Sequence, residues 1–210
     1  MLKPPALLRY GGFFVSSDNI CFMSKERVLI LIDGSNFYFS LKKLGLPKYK
    51  ITEFNFGKFV QWLANGRQVT GRNYYVGVVR AKPNDNKGQE LRRDQQRLFA
   101  HLRSKQNKFV TIHGYLMKSD EKYHEKGVDV RMAVDLVVGA FEDKFDSAIL
   151  ISSDTDLIPA IKHVQKRKKK VEYIGFSSPP KSQPSYGLIK TCSQSRVLVA
   201  ADIKQFITRQ

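Results

Sequence analysis

Val28-Leu29-Ile30-Leu31-Ile32 is an unbroken apolar run that stops at Asp33-Gly34. A strand with one wet face alternates apolar with polar residues. A continuous run of this length is buried on both faces, as in a parallel sheet covered by helices on each side. The predicted strand spans Arg27–Ile32. Every later strand must then be separated from the last by a crossover, usually a helix.

The rest of the chain has that alternation. Phe37–Leu44 reads as a helix, and Phe54–Leu63 as a second one with Thr52 as its N-cap. Asn73–Val79 is the next predicted strand, followed by a polar loop over Lys82–Gln89. Leu91, Leu98, Phe99 and Leu102 share one helical face. Phe109–Tyr115 is a third strand, and Lys118–Lys126 a charged loop. Val128–Phe141 is apolar nearly all round, which predicts a largely buried helix. Ser147–Ser152 and Val171–Gly175 are strands four and five, with a helix over Asp156–Gln165 between them. Ser177–Ser185 reads as a loop, Val197–Val199 as a short last strand, and a short helix starts at Ile203. The expected class is therefore α/β, one domain built on a mainly parallel sheet of about five to six strands. Residues 1–24 read as a disordered extension. Their apolar pieces, Ala6–Leu8 and Phe13–Val15, are too short and broken for a signal peptide.

The acids fall where such a sheet gathers them. Asp33 ends the first strand, Asp154 and Asp156 follow the fourth, and Asp129 opens the apolar helix after Gly127. Parallel strands share one carboxyl edge, and ligands bind there where the strand order reverses. Converging carboxylates repel, and a hard cation such as Mg²⁺ or Mn²⁺ relieves the repulsion. Each acid also has a plain structural reading. Asp33-Gly34 makes an ordinary turn, Asp154 or Asp156 caps a helix, and Asp129 favours a helix N-terminus. Asp135, four residues after Arg131, makes an i,i+4 ion pair.

Charge narrows the partners. Lys and Arg number 36 against 19 Asp and Glu, a formal net charge of +17. Nucleic acid is the usual partner for such a field, although charge alone establishes only attraction to anions. Two cysteines make neither a disulfide framework nor a four-ligand zinc site, and a reducing, cytoplasmic setting is the simpler expectation. No run of about 18 apolar residues is present, so no membrane partner is expected.

Three segments carry a more specific signal: Leu31-Ile32-Asp33-Gly34-Ser35-Asn36-Phe37, Lys126-Gly127-Val128-Asp129-Val130 with Ala133-Val134-Asp135-Leu136, and Ile151-Ser152-Ser153-Asp154-Thr155-Asp156-Leu157-Ile158-Pro159-Ala160-Ile161. In order and spacing they resemble the signatures of the NYN domain, in the LabA-like (DUF88) branch of the PIN-like nuclease superfamily. The resemblance covers about residues 25–207. It implies a Rossmann-like three-layer α/β/α sandwich and a metal-dependent ribonuclease that hydrolyses phosphodiester bonds at clustered aspartates. By the same resemblance, Asp33, Asp129 and Asp154 would hold Mg²⁺ or Mn²⁺, Asp156 would be a fourth acid, and Asn36 would help position the site. Ser153 departs from the usual Gly and Leu157 from the usual aromatic; neither change removes an acid.

RNA is the expected partner, and a homodimer is compatible with the pattern. Arg80 and Lys82 leave strand two on the acid edge, Lys126 stands beside Asp129, and Arg92 and Arg93 flank the following helix. These five are the candidate phosphate contacts. Lys166–Lys170 should lie on the opposite edge, because its helix runs back from the strand exits. Tyr38 and Tyr75 are base-stacking candidates that at this spacing more often belong to the core. His101, His113, His124 and His163 read as satisfied or solvated side chains. Two other functions compete. One is a non-catalytic RNA-binding or adaptor domain. The other is a phosphatase-like enzyme with Asp33 as nucleophile, in which Ser35 stands where such enzymes usually carry a second Asp. Neither a P-loop nor a G-x-G-x-x-G motif is present.

Overall fold

The structure is a computed structural model that describes residues 8–10, 13–15, 25–46, 50–119, 122–180 and 182–207. Strands β1 (Leu8–Tyr10) and β2 (Phe13–Val15) pair antiparallel as a separate two-stranded ribbon. The rest of residues 1–24 lies outside the described residues.

The main sheet begins with β3 (Arg27–Asp33), which passes directly into α1 (Gly34–Lys43). After a 3-10 turn at Ile51–Glu53 come α2 (Phe56–Ala64), β4 (Gln68–Val78), α3 (Asn86–Arg103), β5 (Val110–Ser119) and β6 (Lys122–Lys126). The second half runs α4 (Val128–Phe141), β7 (Ser147–Ile151), α5 (Ile158–Lys166), β8 (Lys170–Phe176), α6 (Tyr186–Thr191), β9 (Gln194–Leu198) and α7 (Ala200–Lys204). The strand order is β6-β5-β4-β3-β7-β8-β9, with every neighbour parallel except the β5–β6 edge pair. Numbered along the chain, the six parallel strands stand in the order 3-2-1-4-5-6. That is the Rossmann arrangement, with its switch point between β3 and β7.

Two apolar cores make the outer layers. One packs Phe37, Phe54, Phe56, Phe59 and Leu102 over the sheet, with Ile203 and Phe206 closing it. The other packs Met132 and Leu136 of α4, Ile161 and Val164 of α5, and Leu188 of α6. The two outer layers on one sheet make the three-layer α/β/α sandwich expected from the sequence.

Several boundaries differ, each for a local reason. The cap of α2 is Asn55, whose side chain accepts from Lys58 N at 2.9 Å, while Thr52 sits inside the 3-10 turn. The polar loop after β4 is shorter than expected, because Asp85 caps α3 by accepting from Gly88 N at 3.0 Å. The charged stretch read as a loop is mostly strand: β5 extends to Ser119 and turns back as β6. Its alternation is hidden by lysines, which edge strands tolerate. α4 is only half buried: Val130, Val134, Val138 and Phe141 face outward, since one side of a helix suffices to cover the sheet. Helix α6 directly follows the Ser/Pro-rich loop and is missed, and β9 starts three residues before the expected strand.

At the amino edge of the sheet every nearby acid is matched. Arg27 donates to Asp146 through Nε at 3.2 Å and Nη2 at 2.8 Å, and its backbone N adds a third bond at 2.8 Å. Lys169 also pairs with Asp143 and Asp146. Buried Glu172 is held by Arg67 and Arg196, which also cap the last carbonyls of α2. The Arg27 guanidinium holds the Asp146 carboxyl well below its ordinary range, against a smaller opposing effect of burial. A depressed carboxyl pKa stabilises the fold above the unfolded value of about 4 and loses that stabilisation only as pH falls through the lowered value. Asp146→Asn should therefore lower Tm by roughly 2–4 °C at neutral pH, the equivalent of about 1 kcal/mol in a domain of this size. Thermal melts of the two proteins should converge in strong acid.

Candidate metal and nucleic-acid site

Asp33 closes β3 at the switch point and is the N-cap of α1. Its Oδ1 accepts from Asn36 N at 3.0 Å. Its Oδ2 accepts from Asn36 Nδ2 at 2.5 Å and from Ser152 Oγ at 3.0 Å. The carboxylate is 6% exposed. Burial pushes its pKa up, the bonds from Asn36 and Ser152 pull it down, and the charge of Asp154 raises it further. Gly34 is required beside it, because a Cβ there would lie 2.5 Å from the Tyr74 ring and 2.8 Å from Tyr75 O.

The network continues across the switch point. Asn36 Oδ1 accepts from Ser153 Oγ, which fixes the side-chain amide at both ends. Ser152 Oγ accepts from Asp154 N at 3.1 Å, and Asp154 Oδ1 accepts from Asp156 N at 2.9 Å. One chain of bonds thus links the exits of β3 and β7. Asp129 enters from the first turn of α4, after Gly127 turns the backbone with φ +76°.

Asp129, Asp154 and Asp156 each offer an oxygen within 4.8 Å of the other two. Among the described residues no cation pairs with them. Two full charges at that separation repel by about 1 kcal/mol even in a water-like medium. Three such acids with oxygen ligands fit a hard divalent ion. Asp33 is not in the trio; its oxygens accept from Asn36 and Ser152. The structure therefore brings three of the four sequence-selected acids together and sets the fourth behind them, linked through Ser152. The plain readings hold as well: Asp33 and Asp154 are caps, and Asp135 pairs with Arg131 at 3.0 Å.

Of the basic candidates, Arg80 and Lys82 are exposed just past β4, and Lys126 is exposed at the end of β6. Arg92 and Arg93 are exposed on α3. Sequence reasoning missed Tyr115. It stands opposite Lys126 in the β5–β6 register, is 62% exposed, and lies under Arg80, whose guanidinium is 5.3 Å from the ring centre. Its position at the exit of a predicted strand was the available signal. Tyr75 is wholly buried and bonds Asp135 at 3.2 Å, so it belongs to the core, whereas Tyr38 is exposed. Lys169 lies at the amino edge with Asp143 and Asp146, on the side opposite the acids. His101 is satisfied, with Nε2 2.8 Å from Phe54 O, while His113 stacks on Phe99 and His163 is exposed. The side chain of His124 lies outside the described residues. Burial pushes the Cys192 thiol up to about 12, which leaves no nucleophilic thiolate at neutral pH.

The NYN domain family matches residues 27–198. No curated protein matches the chain. Among solved structures, a protein of unknown function from Vibrio parahaemolyticus is similar at a TM-score of 0.57 and 21% identity, over 85% of this chain and 96% of that one. At that identity the likeness speaks for the fold.

If the trio is a cation site, removing one carboxylate should act in opposite directions with and without metal. Asp156→Asn should raise Tm slightly in EDTA by relieving repulsion. It should also shrink the rise that millimolar Mn²⁺ gives the wild type, since an ion that binds only the folded state stabilises it by mass action. Equal Mn²⁺ shifts in both proteins would remove Asp156 from the site.

Proposed function

Because the chain belongs to the NYN domain family, whose members are generally ribonucleases, we propose that it is a divalent-metal-dependent ribonuclease acting at this aspartate cluster. The observation that supports this most directly is the contrast between +17 overall charge and three unpaired carboxylates gathered at one point of the carboxyl edge. Asp129, Asp154 and Asp156 would hold Mg²⁺ or Mn²⁺. Such an ion, when bound, polarises a phosphate oxygen and acidifies water.

The chain's own residues supply the rest. Asp33 acts as a positioning residue: it locks Asn36 and Ser152, and through Ser152 it fixes the backbone that carries Asp154. Arg80 and Lys126 bring positive charge to either side of Tyr115, whose exposed ring offers a face for base stacking. Arg92 and Arg93 extend the positive surface along α3. A strand of RNA laid across this edge would meet these cations on the β4–β6 side of the sheet, and repulsion between the acids and the scissile phosphate would be offset by the ion.

Labelled single-stranded and structured RNA, incubated with and without Mn²⁺, tests the reading. Cleavage should require the ion and fall by about 100-fold or more in Asp154→Asn, the scale on which transition-state charge stabilisation acts. Asp33→Asn should lose less, because the amide keeps part of the cap. Cleavage that survives both substitutions would sink the site. RNA binding without any metal-dependent cleavage would leave the fold serving as an adaptor.

A further inference from the structure

A depression opens on the α1 side of the switch point, with a volume of about 80 Å³. Asn36, Ser40 and Lys43 line it from one face of α1, at i, i+4 and i+7. Ser153 closes it from the exit of β7, and Ser182 and Gln183 from the loop after β8. Its floor is apolar, made by the buried rings of Phe37 and Phe176. Among the described residues that line it there is no carboxylate, and Lys43 is the one cation.

This is a built wall rather than a loose flap. Ser178 and Ser182 exchange both backbone hydrogen bonds, at 2.9 and 3.0 Å. The Tyr173 hydroxyl accepts from Ser185 N at 3.0 Å. The loop seats on β8 at Gly175, where a Cβ would come within 2.8 Å of Pro184. Asn36 and Ser153 are shared with the hydrogen-bond network of Asp33, so the depression and the acid cluster have a common wall.

Size and chemistry select the occupant. For scale, a cavity of about 150 Å³ takes up benzene, and a water takes about 30 Å³. The depression therefore holds two or three waters or one tetrahedral oxyanion, and is too small to enclose a nucleobase. Its polar wall offers hydroxyl and amide donors and one ammonium. We propose that it binds an internal phosphate of the RNA strand, adjoining the phosphate held at the acids. Lys43 supplies the counter-charge, with Ser40, Ser182 and Gln183 as neutral donors. The assignment rests on the reading of the chain as RNA-binding, but not on its cutting RNA.

The test is fluorescence anisotropy with a labelled single-stranded oligoribonucleotide carrying a 5′ hydroxyl, in EDTA so that nothing is cut. Lys43→Ala should weaken binding about 3–10-fold and lower the slope of log affinity against log salt by roughly 0.7, the value for one phosphate contact on a single strand. Lys42→Ala removes the same charge from an exposed position on α1 outside the depression and should change both far less. Ser40→Ala should weaken binding without changing the slope. Equal effects of Lys43→Ala and Lys42→Ala would overturn the proposal. So would a Lys43 effect that appears only on 5′-phosphorylated RNA, which would mark a terminal-phosphate site instead. RNA bound with the Lys43 signature but never cut with Mn²⁺ would remove the ribonuclease and leave the phosphate site standing. Cleavage without that signature would do the reverse.

Discussion

A buried carboxylate is costly unless its lone pairs are used. Asp33 accepts from a helix start, a side-chain amide and a serine just past a strand more than a hundred residues away. Those three bonds decide how β3 ends, where α1 begins and how the loop after β7 lies against it. Gly34 is the steric counterpart, since α1 can start so close to β4 only without a side chain. The acid trio and the neighbouring depression are both supported by groups that Asp33 holds in place.

The protein divides its acids between two jobs by position. At the amino edge Asp143, Asp146 and Glu172 are each matched by Arg or Lys, and their role is to tie strand starts and helix ends together. At the carboxyl edge Asp129, Asp154 and Asp156 have no such partners among the described residues. Asp154 is oriented by its own backbone N–H, which donates to Ser152 Oγ, and by the Asp156 backbone N–H, which donates to its Oδ1. A site that must attract a divalent ion needs carboxylates that are ordered yet still charged, and donors of this kind provide both.

The class of fold was legible because burial on two faces leaves a mark in the sequence. The Val28–Ile32 run demands a covered parallel sheet, and the strand–helix alternation supplies its crossovers. Asp33 and Asp154 were legible because they follow apolar strand runs, and Asp129 because it opens an apolar helix after Gly127. Features governed by partners distant in sequence were not. β6 is stabilised by pairing with β5 rather than by an apolar pattern, and Arg80 meets Tyr115 only because their strands are neighbours. Buried Asn107, which receives Gly57 N at 2.8 Å and donates to His101 O at 2.9 Å, staples α2 to α3 from a polar turn with no periodic signal. Whether Asp33 joins the other acids directly or stands behind them depends on ångström-scale side-chain placement that spacing does not encode.

The central pairing of β3 with β7 joins Val28 to Ser147 and Ile32 to Ile151. Such distant contacts are among the slowest to form, because a long loop must close before they are rewarded. Synthesis adds a second delay, since β3 leaves the ribosome well before Asp154 is made. A nascent chain therefore carries Asp33 with neither Ser152 nor the other acids to meet it. The acid cluster assembles only once β7 has docked. The growing polypeptide thus displays basic side chains to the surrounding RNA before the acid cluster exists.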